Sequence, residues 1–358
     1  MTESLTEIFE RDRSVWDSCA RTYERQIVGG HPDVTAYEEF EEDLLDEVLH
    51  YLMGEQKQTV RLVDAGCGSA RLHCRFGLQM IDEDQLPADV AARVRAARAK
   101  RTGCAYESLV ADRLRAVEGI DFSAEMIALA KEKLTDAGLG RLVGSRLKLV
   151  QGSAFDFAPM TSEPLPVVVS VCNSIGVMQG PAGAASLFRS VRRAVEDAGG
   201  VAVISAYRKE AAASFALGNY ETTLDVCGQP EWLDPDTFAG AEYVQVPWGY
   251  KRAYDSDPKV TVDVLDRDGR IVLKGHDLTR NPEKVARTIE SGHIQTHTDY
   301  ESHWYSFDQF ESWIADLWGG CKTYHLAGKG LDALRAKPAQ LAILDPRGRL
   351  EDLVDRWS

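Results

Sequence analysis

The sequence predicts an α/β protein built on a doubly wound sheet, on the strength of three observations. Short valine-rich runs alternate with segments of helical period. One of those runs, residues 166–172, is apolar almost throughout, as a parallel strand covered on both faces must be. The first run breaks into Gly66-Cys67-Gly68 directly after Asp64, a glycine turn at a strand end.

The elements follow in order. Residues 6–53 carry helical spacing, with Trp16, Ala20 and Tyr23 in one segment and Phe40, Leu44, Leu45, Val48 and Leu49 in the next. Gly29-Gly30-His31-Pro32 divides them. Residues 59–64 form the first strand, and residues 73–115 exceed what one crossover needs. Their Ala/Arg-rich stretch 88–100 reads as a surface helix in an added elaboration. Strand 116–121 is followed by a helix over 123–137 with Ser123 as its N-cap. Strand 147–151, strand 166–172, helix 181–198 and strand 200–206 continue the alternation. Beyond Tyr207 the pattern changes to aromatic and β-branched runs, such as Tyr243-Val244-Gln245-Val246 and Thr261-Val262-Asp263-Val264, with Asp268-Gly269 as a hairpin turn. Helix 306–318 and strands 323–326 and 340–344 complete the sheet. The expected organisation is a helical lid over 1–55, an α/β core over 56–207 and 306–358, and an antiparallel β cap inserted at 208–305.

Composition narrows the function. The 358 residues are 44% apolar, enough for a buried core. A formal net charge of −15 argues against nucleic acid as a partner, because phosphate binding depends on Lys and Arg. Seven cysteines without C-x-x-C spacing point to reduced thiols. The charged segment Met1 to Arg13 has no apolar run, and no stretch reaches the roughly 18 to 20 apolar residues of a membrane span. The expectation is a cytoplasmic protein without membrane contact, possible as a homo-oligomer.

Gly66 and Gly68 let bare backbone amides approach a ligand at the carboxyl end of the strand. The spacing departs from the dinucleotide fingerprint G-x-G-x-x-G, since Arg71 stands where the third glycine would be. A second strand ending in an acidic residue would give a carboxylate able to accept from both hydroxyls of a ribose, and Asp121 in Val117-Glu118-Gly119-Ile120-Asp121-Phe122 fits. His293, His297 and His303 lie among β-branched residues rather than on a helix, so no metal is expected there. The acidic run 38–46 reads as the solvated face of a helix.

The segment Val63-Asp64-Ala65-Gly66-Cys67-Gly68-Ser69-Ala70-Arg71 resembles the first motif of class I S-adenosylmethionine (SAM) methyltransferases. That resemblance implies a Rossmann-like sheet with SAM as cofactor, Asp121 on the ribose, and Phe122 and Met126 against the adenine. Ser153 stands where many such enzymes carry an Asp for the adenine amino group, so Ala154 and Phe155 would serve there through backbone and ring. Cys172-Asn173-Ser174 at the end of the fourth strand is similar to glycine N-methyltransferase and related small-molecule N-methyltransferases. By that likeness Trp16 and Tyr37 belong to helices closing over the SAM methionine moiety, Cys172 and Asn173 border the cofactor, and Asn173 orients an amine. Tyr37, Arg208 and Tyr300 become candidate acceptor contacts. Arg208 stands one residue from the family's arginine, a shift that turns a side chain to the other face of an extended segment.

The implied activity is methyl transfer to a small-molecule acceptor, an amine or amino-acid nitrogen. Displacement at a sulfonium methyl needs little beyond positioning, so no general base is nominated. The cofactor motifs are equally consistent with oxygen or carbon methylation, with intramolecular cyclisation of SAM, and with a non-catalytic SAM-binding regulator.

Overall fold

The computed structural model describes residues 13–14, 16–17, 20–21, 32–82, 84, 86–99, 112–208, 243–246, 249–252, 264–265, 271–273, 305–326 and 339–357. The expected β1 begins at Val60 and runs to Ala65; β2 is Leu114–Asp121, β3 Leu147–Gln151, β4 Leu165–Ser170 and β5 Val201–Tyr207. Four short strands follow, β6 Tyr243–Val246, β7 Gly249–Arg252, β8 Val264–Leu265 and β9 Ile271–Leu273, before β10 Thr323–Leu326 and β11 Ala339–Leu344. The described helices are α1 Pro32–His50, α2 Arg71–Met80, α3 Ala88–Ala99, α4 Ala124–Asp136, α5 Gly180–Val195, α6 Phe307–Trp318 and α7 Glu351–Trp357. A π-helical turn, Tyr51–Glu55, extends α1.

Seven strands form one sheet in the order β10-β11-β5-β4-β1-β2-β3. β1 to β5 are mutually parallel, whereas β11 is antiparallel to β5 and β10 to β11. The alternation along each strand explains why both faces are covered. Leu62, Val167, Val169, Val201 and Val203 enter one buried cluster, while their neighbours Val63, Val168, Ala202 and Ile204 enter the other. From β1 the chain steps outward through β2 and β3 and then returns to β4 on the other side. That reversal opens a crevice between the carboxyl ends of β1 and β4, where such sheets hold ligands.

Two expectations need correction. The segment 73–115 is not wholly an elaboration: α2 is the crossover helix itself, and Leu72 through Met80 are all buried. Its apolar stripe is disguised by His73, Arg75 and Gln79, polar side chains that are buried with it. The acidic run is not wholly a solvated face either, although Asp43 within it is exposed. Glu41 and Glu42 are buried because α2 presents Arg71, Arg75 and Gln79 at four-residue intervals to the acidic side of α1. Arg71 pairs with Glu41 at 2.8 Å, Arg75 with Glu42 at 2.8 Å and also with Asp46, and Gln79 donates to Asp46 at 3.1 Å.

Within the segment expected as a β cap, β6 pairs antiparallel with β7 and β8 with β9. Asp268-Gly269 falls between the latter two strands, outside the described residues. α7 has no counterpart among the elements expected from the sequence. Among the described residues no helix is long and apolar enough to cross a membrane.

Candidate functional site

The glycine turn after β1 owes its shape to two different constraints. Gly66 has φ +82°, and a Cβ built there would lie 2.7 Å from the Met178 side chain and 3.1 Å from that of Ser174. Gly68 has φ +48° with nothing within 4 Å of its would-be Cβ, so its open side borders free space that a larger residue would fill. Ser174 ties this turn to the end of β4, its single hydroxyl proton lying between the Val171 carbonyl at 2.7 Å and the Gly66 carbonyl at 3.2 Å.

Asp121 ends β2 beside the same turn. Its carboxylate accepts from the Gly68 N–H and the Ser123 N–H, each at 2.9 Å on a different oxygen. These two hydrogen bonds leave acceptor capacity on both oxygens, since a carboxylate has about four lone-pair sites. Burial nevertheless dominates, pushing the group up to about 6 against the lowering effect of the Ser123 and Gly68 amides, with Asp17 adding to the rise. Asp64 is also buried. Desolvation pushes it up to about 7, opposed by Arg71 and reinforced by Asp121 and Glu41. Burial raises the Cys67 thiol between the two glycines and brings His73 down to about 4, so these groups are held neutral.

An apolar strap lies over the start of α4. Trp16, Ala20 and Met126 are buried in one cluster, with Phe122 and Val177 packed against it. The strap is fixed by polar contacts from the N-terminal helical residues. Asp17 accepts from the Ser123 hydroxyl at 2.7 Å and the Glu125 N–H at 3.3 Å, and Arg21 pairs with Glu132 at 2.8 Å. Phe122 and Met126, expected against the adenine, are thus brought together with Trp16, expected over the methionine moiety.

The loop after β3 is knitted to its own backbone. The Ser153 hydroxyl accepts from the Phe155 N–H at 3.1 Å, Ala154 is buried, and Phe155 packs against the cluster containing Val63 and Ile175. Gly152 N–H reaches the Asp121 carbonyl at 2.9 Å, which places this loop beside the end of β2.

At the end of β4 the chain turns through two consecutive left-handed residues, Cys172 at φ +56° and Asn173 at φ +53°. Asn173 is buried, and its amide oxygen takes the Tyr207 N–H at 3.0 Å, joining the ends of β4 and β5. Glu41 reaches the same turn: both its oxygens accept from the Cys172 N–H, at 2.7 and 2.9 Å, and it also bonds the Ser205 hydroxyl of β5. Glu41 carried no signal of its own in sequence, being one acid within a run. Tyr305 is a second unforeseen neighbour, buried, with its hydroxyl 3.4 Å from the Ile175 carbonyl and its phenol pushed up by burial.

Arg208 is partly buried just beyond β5 and forms a backbone bridge to Tyr305. Tyr37 lies on α1, but its side chain is outside the described residues, as are Tyr300, His293, His297 and His303 altogether. The structure therefore assembles Asp64, Gly66, Gly68, Asp121, Cys172 and Asn173 around the β1 and β4 ends, with Trp16, Phe122 and Met126 alongside. The donor set suits a ligand with a vicinal diol, an aromatic base and a cationic group, as a SAM-like nucleoside has.

No protein-family model matches the sequence, and neither does any curated protein. Among solved structures the chain is similar to a SAM-dependent methyltransferase from Clostridium acetobutylicum, with 11% identity over 92% of this chain and 98% of that one and a TM-score of 0.41. It is also similar to the plantazolicin methyltransferase BpumL in complex with SAH, with 11% identity over 96% and 98% of the two chains and a TM-score of 0.39. A SAM-dependent methyltransferase from Methanosarcina mazei has 11% identity over 79% of this chain and 90% of that one, with a TM-score of 0.38. Likeness at this level carries no residue-by-residue correspondence.

Proposed function

We propose that this protein is a SAM-dependent methyltransferase acting on a small-molecule acceptor at an amine or amino-acid nitrogen. The observation that carries the reading is the junction of Asp121 with Gly68, a carboxylate with acceptor capacity held against a glycine turn at the sheet's reversal point. Bound there, SAM would supply an electrophilic methyl group on a sulfonium. Asp121 would accept from the ribose hydroxyls, Phe122 and Met126 would face the base, and Asp64 would offer a buried negative charge to a cationic group. Asn173 would orient the acceptor at the end of β4. The site's work is to align two groups and exclude water, which suits transfer to an uncharged amine. The net charge of −15 favours a small acceptor over a polyanion.

Turnover tests the reading. Incubated with SAM and a panel of small amines and amino acids, the protein should release S-adenosylhomocysteine (SAH). Methylthioadenosine as product would instead indicate cyclisation, and tight SAM binding without turnover would indicate a regulator. Asp121→Ala should weaken SAH binding by about 1 to 3 kcal/mol in calorimetry; unchanged affinity would remove Asp121 from the ribose.

A further inference from the structure

We propose that Glu41 is a positioning residue for the transfer step, a carboxylate clamp on α1 that holds the Cys172-Asn173 turn in its left-handed conformation. The proposal rests on the methyltransferase reading above in taking that turn as the acceptor side of the site. Glu41 is 1% exposed, and its two oxygens receive the Cys172 N–H, the Ser205 hydroxyl and the Arg71 guanidinium. These contacts draw on the ends of β4 and β5 and on the helix that follows the glycine turn. Three protein donors occupy most of the carboxylate's four or so acceptor sites and the side chain is 1% exposed, so Glu41 acts on the reaction through the turn rather than by touching a ligand.

The turn needs such a partner. Two successive residues bearing a Cβ have positive φ there, a conformation L-residues avoid unless surrounding contacts impose it. The Cys172 N–H is directed at Glu41, while on the other side Asn173 receives the Tyr207 N–H. The amide group of Asn173 is thereby fixed between a clamp from α1 and a bond from β5. Loosening the clamp frees the turn to relax toward ordinary dihedrals and swings Asn173 out of register with the β1 loop. Misplacement of this kind costs rate rather than cofactor affinity.

The test uses the full chain carrying Glu41→Gln, which keeps shape but removes the charge, and Ser205→Ala, which removes one partner and leaves the carboxylate. Three quantities are measured on each: SAH affinity by calorimetry, turnover of SAM to SAH on the amine panel, and hydrogen exchange of the peptide spanning residues 171–178. The expected result is SAH affinity within about twofold of the parent, kcat lowered at least about tenfold in Glu41→Gln and less in Ser205→Ala, and faster exchange in that peptide. If Glu41→Gln does not fold, Ser205→Ala carries the same three readouts. Unchanged kcat and exchange would overturn the proposal, as would a loss of SAH affinity equal to the loss of rate. A parent protein inactive on every amine, together with faster exchange in the variant, would support the clamp and sink the amine-acceptor reading.

Discussion

Asp64 and Asp121 are costly residues. A group whose native pKa is raised binds its proton more tightly when folded, so its stabilising contribution is present at low pH and is lost as pH rises. For Asp64 that decline runs from the unfolded aspartate value near 4 up to the native value of about 7. Asp64→Asn cannot ionise, so the ligand-free variant should exceed the parent in stability by roughly 3 to 5 kcal/mol at pH 8 and match it near pH 4. Urea melts at both values check this; a less stable variant at pH 8 would mean that attraction to Arg71 outweighs burial. These two acids and the two glycines were legible in sequence because few residue types serve at such positions. The left-handed backbone at Ala70, Cys172 and Gln179 was not, since none is a glycine or an asparagine and nothing local marks that conformation.

The α1–α2 contact shows what separates a buried ionic face from a surface one. The Arg75 side chain is 4% exposed and meets Glu42, Asp43 and Asp46, whereas Arg356 and Glu55 pair at 2.9 Å with both side chains more than half exposed. Removing one partner from the first leaves buried charge uncompensated, and removing one from the second leaves a charge in water. Arg75→Ala should therefore destabilise by about 3 to 5 kcal/mol and Arg356→Ala far less, both read from urea midpoints. A small effect at Arg75 would show that the acids readily regain water. The same contact explains why α2 was mistaken for part of an elaboration and the acids of α1 for a solvated face. Each helix satisfies the polar residues of the other across about thirty positions of sequence, and periodicity within one segment is blind to that. The central strands β1, β4 and β5 match their expected positions to within a few residues because burial on both faces leaves a continuous apolar run that needs no knowledge of a partner.

For the molecule as a whole, the alternation of strands and helices disclosed the sheet and its carboxyl-end crevice. What closes the crevice was only partly disclosed, since Glu41, Tyr305 and the strap around Trp16 act across more than a hundred residues. The buried acids at that crevice carry a consequence for the whole particle. A cationic ligand beside Asp64 favours the ionised carboxylate, so uptake of SAM should expel a proton: roughly one per molecule bound near pH 6, falling toward none by pH 8. Calorimetry in buffers of different ionisation enthalpy measures that number, and a value near zero at pH 6 would mean that Asp64 does not meet the cation. Binding then becomes an exchange of one positive charge for another. In mildly acid solution the loaded and empty forms should share the same electrophoretic mobility, so a protein of strongly negative charge takes up a cation without any change in its outward field.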